Sequence, residues 1–186
     1  MIILFISMII NIRVNIIYCN DLSNNISINK EKEVSNSTSK SKKIAYITID
    51  DGPSKYTEDI INILDKYNAK GTFFLIDRNM KKHPDKVKKI VESGNSAGLH
   101  SVSHDIHKLY KDKNSAKEEF DLNNKTFYDI TGKYSNLIRL PYGSKPYTPK
   151  DTFDTLINAG YKIWDWNIDT QDWKCSSSEI VENAKT

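Results

Sequence analysis

Lys43–Asp50 reads KIAYITID and Thr72–Ile76 reads TFFLI. Both are short apolar runs rich in β-branched and aromatic residues, the pattern of a strand covered on both faces. Between them, Thr57–Tyr67 places Ile60, Ile61, Ile63 and Leu64 near helical spacing. The alternation continues to the end of the chain. Asp85–Ser93 reads as a helix stopped by Gly94, and Ser96–His100 as a third strand. Ser115 with Glu118 has the form of a capping box opening a helix to about Ile130, stopped near Gly132. Leu137–Leu140 is a fourth strand, Thr148-Pro149 opens a helix that ends at Gly160, and Tyr161–Asn167 is a fifth strand. Ser176 with Glu179 caps a last helix. Strands alternating with helices over short connections predict an α/β fold with a parallel sheet, doubly wound or barrel-like. In either form, chemistry gathers at the carboxyl ends of the strands.

The chain has 186 residues, a formal charge of +3 and 38% hydrophobic residues, an ordinary globular mix. The positive excess lies before Ile44, so the remainder is formally neutral. Nucleic-acid-binding domains carry a basic excess, so that class loses weight. Cys19 and Cys175 fit neither a disulfide framework nor a cysteine zinc site. Met1–Ile12 is almost unbroken aliphatic sequence, suited to a signal-peptide core or anchor, with a buried N-terminal helix as the alternative. Residues 20–43 lack aromatics and are rich in Ser, Asn, Lys and Glu, the composition of a solvated tether. The expected organisation is a signal or anchor over 1–19, a polar linker over 20–43 and a globular domain over 44–186. That places the working part outside the cytoplasmic membrane, touching it only through the N-terminal segment.

Four strand ends carry residues that a core would not want. The first ends in Asp50-Asp51-Gly52-Pro53, where adjacent carboxylates need a cation or a proton between them. A turn with solvated acids is the plainer reading of those four residues alone. The third ends in His100-Ser101-Val102-Ser103-His104, and imidazoles at i and i+4 on one helical turn can grip a divalent ion. Two histidines and one carboxylate form an open hydrolytic metal site. His107 reads as a packed helical side chain and His83 as a surface residue. The fourth ends in Arg139-Leu140-Pro141-Tyr142-Gly143, where Arg139 has Asp50 as its natural partner. Past the fifth strand, Trp164, Trp166 and Trp173 are interleaved with acids; strand alternation makes Trp164 or Trp166 a core residue and leaves Trp173 for a sugar.

The ordered set TIDDGP (Thr48–Pro53), HSVSH (His100–His104), RLPYG (Arg139–Gly143) and DTQDW (Asp169–Trp173) resembles the polysaccharide deacetylase family, the NodB-homology domain of carbohydrate esterase family 4. The resemblance covers Ile44 to the chain end. It implies a distorted, incomplete (β/α) barrel and an enzyme that removes N-acetyl groups from a polysaccharide, above all N-acetylglucosamine of peptidoglycan. Chitin-like glycans and acetylated xylan are the alternatives on the same scaffold. It implies Asp50 as general base, and Asp51, His100 and His104 as ligands of a divalent metal, usually Zn2+. Arg139 would hold Asp50, and the Tyr142 N–H would donate to the oxyanion. Asp172 would orient a catalytic histidine, while Pro141, Tyr142 and Trp173 would line the substrate groove. Position 49 is Ile where the family often has Phe. The family's later Leu-x-His motif, which supplies a general acid, has no counterpart between Trp173 and Thr186. The expectation is therefore a barrel lacking its last strand and helix, with a catalytically impaired glycan-binding remnant as the reading from another class.

Overall fold

The computed structural model describes residues 3–7 and 44–185. The elements in chain order are β1 (Ile3–Ser7), β2 (Tyr46–Gly52), α1 (Thr57–Lys66), β3 (Gly71–Leu75), α2 (Asp77–Lys82), α3 (Pro84–Glu92), β4 (Ser96–Leu99), α4 (Ile106–Leu109), α5 (Ser115–Thr131), β5 (Leu137–Ile138), α6 (Lys150–Asn158), β6 (Lys162–Ile163), β7 (Ile168–Asp169) and α7 (Ser177–Asn183). They form one sheet in the order β6-β5-β4-β3-β2-β1-β7. From β2 to β6 every neighbouring pair is parallel, as the alternation of strands and helices requires.

β3 lies at the centre with all five residues buried. Phe73, Leu75, Leu99 and Ile138 meet Ile61, Leu64, Val87, Ile90, Phe120 and Leu156 from the helices in one apolar core. Gly98 is required there by close approach: a Cβ would stand 2.6 Å from the Phe74 ring and 3.1 Å from the Leu137 carbonyl.

β1 pairs antiparallel with β2, Ile3 opposite Asp50 and Ser7 opposite Tyr46, and on its other side with β7. β7 therefore runs in the direction of β2. The stretch read from sequence as an export signal or anchor thus contributes a strand, not the helix given as the alternative. An aliphatic run of high β-propensity satisfies the open polar edge of β2. Cys19 and the tether over 20–43 lie outside the described residues. No helix among the described residues is long and apolar enough to cross a membrane.

Several local expectations need correction. The capping box at Ser115 does not form: the N-cap is Asn114, and Asp112 Oδ1 accepts from the N–H groups of Asn114 and Ser115 instead. The box at Ser176 and Glu179 does form. Pro149 is the N-cap of α6 and not its first residue. The fifth strand shrinks to Lys162–Ile163, because the backbone carbonyls of Trp164 and Asp165 accept from Arg139 and leave the ladder. The short helix α2 has no counterpart in the sequence reading, and α4 carries His107 as a helical residue that is exposed and not packed.

Candidate metal centre and its surroundings

The parallel register carries three segments to one end of the sheet. β2 ends in Asp50 and Asp51. The ladder then continues through His100 N–H to Leu75 O (2.9 Å) and Arg139 N–H to Leu99 O (3.0 Å), so the residues after β4 and β5 emerge beside them. Asp51 Oδ1 lies 3.5 Å from His100 Nε2 and 3.4 Å from His104 Nε2. One donor atom from each of these three residues falls within 4.8 Å of the others.

The imidazoles do not sit on a helical turn, as their spacing suggested. Residues 100–104 form an irregular loop in which Ser101 and His104 have positive φ, and Ser101 Oγ accepts from the His104 N–H at 3.0 Å. Asp51 (φ 61°) and Tyr142 (φ 67°) are left-handed too. Four non-glycine residues held in a sparsely populated region at one strand-end cluster are backbone strain gathered at a site.

The donor set fits a divalent cation. Asp51 Oδ1 is buried with no hydrogen-bond partner among the described residues. His100 Nδ1 lies 2.7 Å from the Arg139 carbonyl, so that nitrogen carries the proton and Nε2 presents its lone pair to the site. Burial, then the neighbouring His104, pushes His100 down to about 3, which keeps it neutral and able to ligate. Burial raises Asp51, opposed by His104 and by Arg78.

Asp50 turns the other way. Its Oδ1 accepts from Arg139 Nη1 at 2.9 Å, while its Oδ2 is 4.0 Å from His100 Nε2. Arg139 is fully buried, and the same Nη1 donates to Thr48 Oγ1 at 2.8 Å. Its Nε donates to the Trp164 carbonyl at 2.8 Å, and its guanidinium lies 4.2 Å over the Phe74 ring. Arg139 and Asp50 thus pair in the interior, the partnership expected from sequence. Burial raises Asp50 to about 8; the Arg139 charge pulls against that, and the charges of Asp51 and Asp172 add to it. Burial strengthens Asp50 as a proton acceptor while the Arg139 charge favours its ionised form, the balance a general base needs.

The other expected residues divide. Tyr142 is half exposed with its ring edge-on to His104, centroids 5.0 Å apart. Pro141 is buried, so Tyr142 is the member of that pair facing solvent. Asp172 is half-buried and close enough for its charge to act on Asp50. Trp173 is exposed, with Lys174 Nζ 4.9 Å over its ring. Neither Trp164 nor Trp166 is a core residue: both are half-buried, and Trp166 packs beside Gly143 and Arg139. His107 stays outside the cluster and lines a cavity of about 600 Å³ with His104, Tyr142 and Tyr147. His83, expected at the surface, is half-buried against a second cavity that His104 borders.

Three positioning residues escaped the sequence reading. Glu119 on α5 accepts from the N–H groups of Val102 and Ser103 and from the Ser103 hydroxyl, pinning the loop that carries His104. Asn79 on α2 donates to the Asp51 carbonyl at 2.7 Å. Asp165 accepts from the backbone and hydroxyl of Ser144, fixing the turn after Tyr142. A charged residue in the middle of a helix gives no sequence signal that a loop sixteen residues earlier rests on it.

The profile of the polysaccharide deacetylase family matches residues 37–164. The chain is 40% identical over 157 residues to a peptidoglycan-N-acetylglucosamine deacetylase of Bacillus cereus, covering 79% of this chain and 56% of that protein. It is 32% identical over 141 residues to the peptidoglycan-N-acetylmuramic acid deacetylase PdaA of Bacillus subtilis, covering 74% of this chain and 51% of that one. The chain thus spans about half the length of these curated relatives. Among solved structures, a polysaccharide deacetylase from Bacillus cereus superposes with a TM-score of 0.70 at 38% identity, over 74% of this chain and 69% of that one.

Proposed function

This chain belongs to the polysaccharide deacetylase family, and from that premise we propose that it hydrolyses N-acetyl groups of a cell-wall polysaccharide, N-acetylglucosamine of peptidoglycan foremost, releasing acetate. The observation that carries the reading is the pairing of two unlike carboxylates at one strand end. Asp51 Oδ1 faces two imidazoles, while Asp50 is held by the buried Arg139.

Asp51, His100 and His104 would hold a divalent metal, with Zn2+ the best match to a two-nitrogen, one-oxygen donor set. Bound there, the ion supplies a Lewis acid for the acetamide carbonyl and acidifies water. Asp50 takes the proton of the attacking water, and Arg139 fixes which of its oxygens is free to do so. The Tyr142 N–H, which has no acceptor among the described residues, donates to the oxygen on which negative charge develops. Trp173 and the Tyr142 ring offer apolar faces to the sugar. The same reading puts the enzyme at the cell surface, where its proposed peptidoglycan substrate lies.

The second reading, glycan binding without turnover, is favoured by the exposed rings of Tyr142 and Trp173, which can hold a sugar without any chemistry. Acetate release separates the two. With zinc added, the chain should release acetate from N-acetylated peptidoglycan strands, and Asp50→Asn should lower the rate by about 10²–10⁴-fold. Equal release by both proteins removes Asp50 from its role, and no release from peptidoglycan, chitin oligomers or acetyl-xylan leaves the binding reading.

A further inference from the structure

A cavity of about 420 Å³ shares Asp51 and His104 with the metal centre and does not reach Tyr142. Lys55, Arg78, Lys82 and His83 line it too, together with Pro53, Ser54, Ile76 and Asn79. Arg78 and Lys82 are one turn apart on α2, so they share a face. Like charges at that spacing repel. Lys55 borders the same space from the turn after β2, its Nζ 4.7 Å over the Tyr56 ring. Among the described residues none of the three cations has a carboxylate within ion-pair distance, although Lys81, next in sequence to Lys82, is paired with Asp77 at 2.8 Å. Asp51 is the one acidic residue lining the cavity, and it faces the imidazoles. Arg78 borders this cavity and is itself open to solvent. The other cavity that His104 borders is lined by Tyr142 and Tyr147 and suits an uncharged ring.

We propose that Lys55, Arg78 and Lys82 form a carboxylate-reading arm beside the metal centre, so that the preferred substrate is an anionic N-acetylated glycan and not a neutral one such as chitin. The carboxylate would lie on the sugar, or on a substituent of it, next to the acetamido group at the metal. In peptidoglycan two sources share that chemistry, the lactyl ether of a neighbouring sugar and the peptide attached to it. A guanidinium and two ammonium groups converging on one pocket recognise a carboxylate by charge-assisted hydrogen bonds. A neutral glycan would leave the repulsion between Arg78 and Lys82, one turn apart, without an anion to relieve it. The inference takes its substrate class from the deacetylase reading, and its test is binding.

Calorimetry of the full chain, with zinc present, compares four ligands of equal glycan length: a chitin tetrasaccharide, a peptidoglycan tetrasaccharide with free lactyl carboxylates, the same with those carboxylates amidated, and one carrying stem peptides. At low salt the carboxylate forms should bind about tenfold tighter than chitin, the advantage shrinking at several-fold higher salt. Amidation should abolish it, and the lactyl and peptide forms tell which source is read. The double variant Arg78→Gln, Lys82→Gln should lose the preference while keeping the affinity for chitin. Lys81→Gln, on the same helix but paired elsewhere, should retain it. Equal affinity for charged and neutral glycans, a preference that survives in the double variant, or binding of none of them overturns the proposal. Acetate release is read separately: preference without acetate sinks the deacetylase reading alone, and acetate without preference sinks this one alone.

Discussion

Arg139 shows how one side chain can organise a site. It is among the largest fully buried side chains described, and its guanidinium is shared between Asp50, Thr48 and two backbone carbonyls on the β6 side. Its planar fork joins three strands at their ends, which a lysine could not do. Its place at a strand end, with Asp50 as the natural partner for its charge, made this residue legible in the sequence. Glu119 is the opposite case, invisible in sequence and structurally specific. Glu119→Gln leaves a single oxygen where two now accept three hydrogen bonds from Val102 and Ser103. The loop holding His104 should loosen while the core stays intact. Zinc affinity, measured by competition with a chelating dye, should fall about 10–100-fold. An unchanged affinity would show that the loop is held by other means.

At the level of elements, the strand ends carry the function and the strand bodies carry the fold. Gly98 in β4 faces the Phe74 ring on which the Arg139 guanidinium rests. Gly98→Ala should therefore destabilise the chain by about 1–3 kcal/mol, read as a lower urea midpoint, because the Phe74 ring and the Leu137 carbonyl cannot both yield. A variant as stable as the parent would mean that the two strands part easily. α5 is tied to the start of β6 by the Tyr161 hydroxyl, which donates to Asp121 Oδ1 at 2.7 Å. Burial, helped by Asp121, pushes the Tyr161 hydroxyl well above its ordinary value. A raised folded-state value means that the contribution is fully present below the ordinary tyrosine pKa near 10 and is lost as pH rises beyond it. Tyr161→Phe should cost about 1 kcal/mol at neutral pH. In urea titrations the gap between parent and variant should close above about pH 10. A gap that widens with pH would reverse the assignment.

Across the whole molecule, the parallel order of β2 to β6 and the meeting of Asp50, Asp51, His100, His104 and Arg139 were legible, because alternating apolar strands place their ends together whatever the loops do. Three things were not. The left-handed loop over 100–104 looks helical by spacing alone. The short strand β6 breaks off where Arg139 captures the carbonyls of Trp164 and Asp165, a tertiary event. The seating of Ile3–Ser7 between β2 and β7 is a long-range pairing that no local pattern encodes. The ligands come from segments separated by about fifty residues, on strands that are not sheet neighbours. An ion binding all three can therefore do so only in the folded chain, and its binding energy adds to global stability. Zinc at a hundredfold excess over its dissociation constant should add about 2.7 kcal/mol, a rise in melting temperature of roughly 5–10 °C. Asp51→Asn, which removes the anionic ligand, should abolish that rise. Asp50→Asn should keep it, since the Asp50 oxygen on the site side is 4.0 Å from His100 and its other oxygen is bound to Arg139. Differential scanning calorimetry of the three proteins with and without zinc decides the matter. An equal zinc-induced rise in Asp51→Asn would place the ion elsewhere, and loss of the rise in Asp50→Asn would make Asp50 a ligand and leave the reaction without its base.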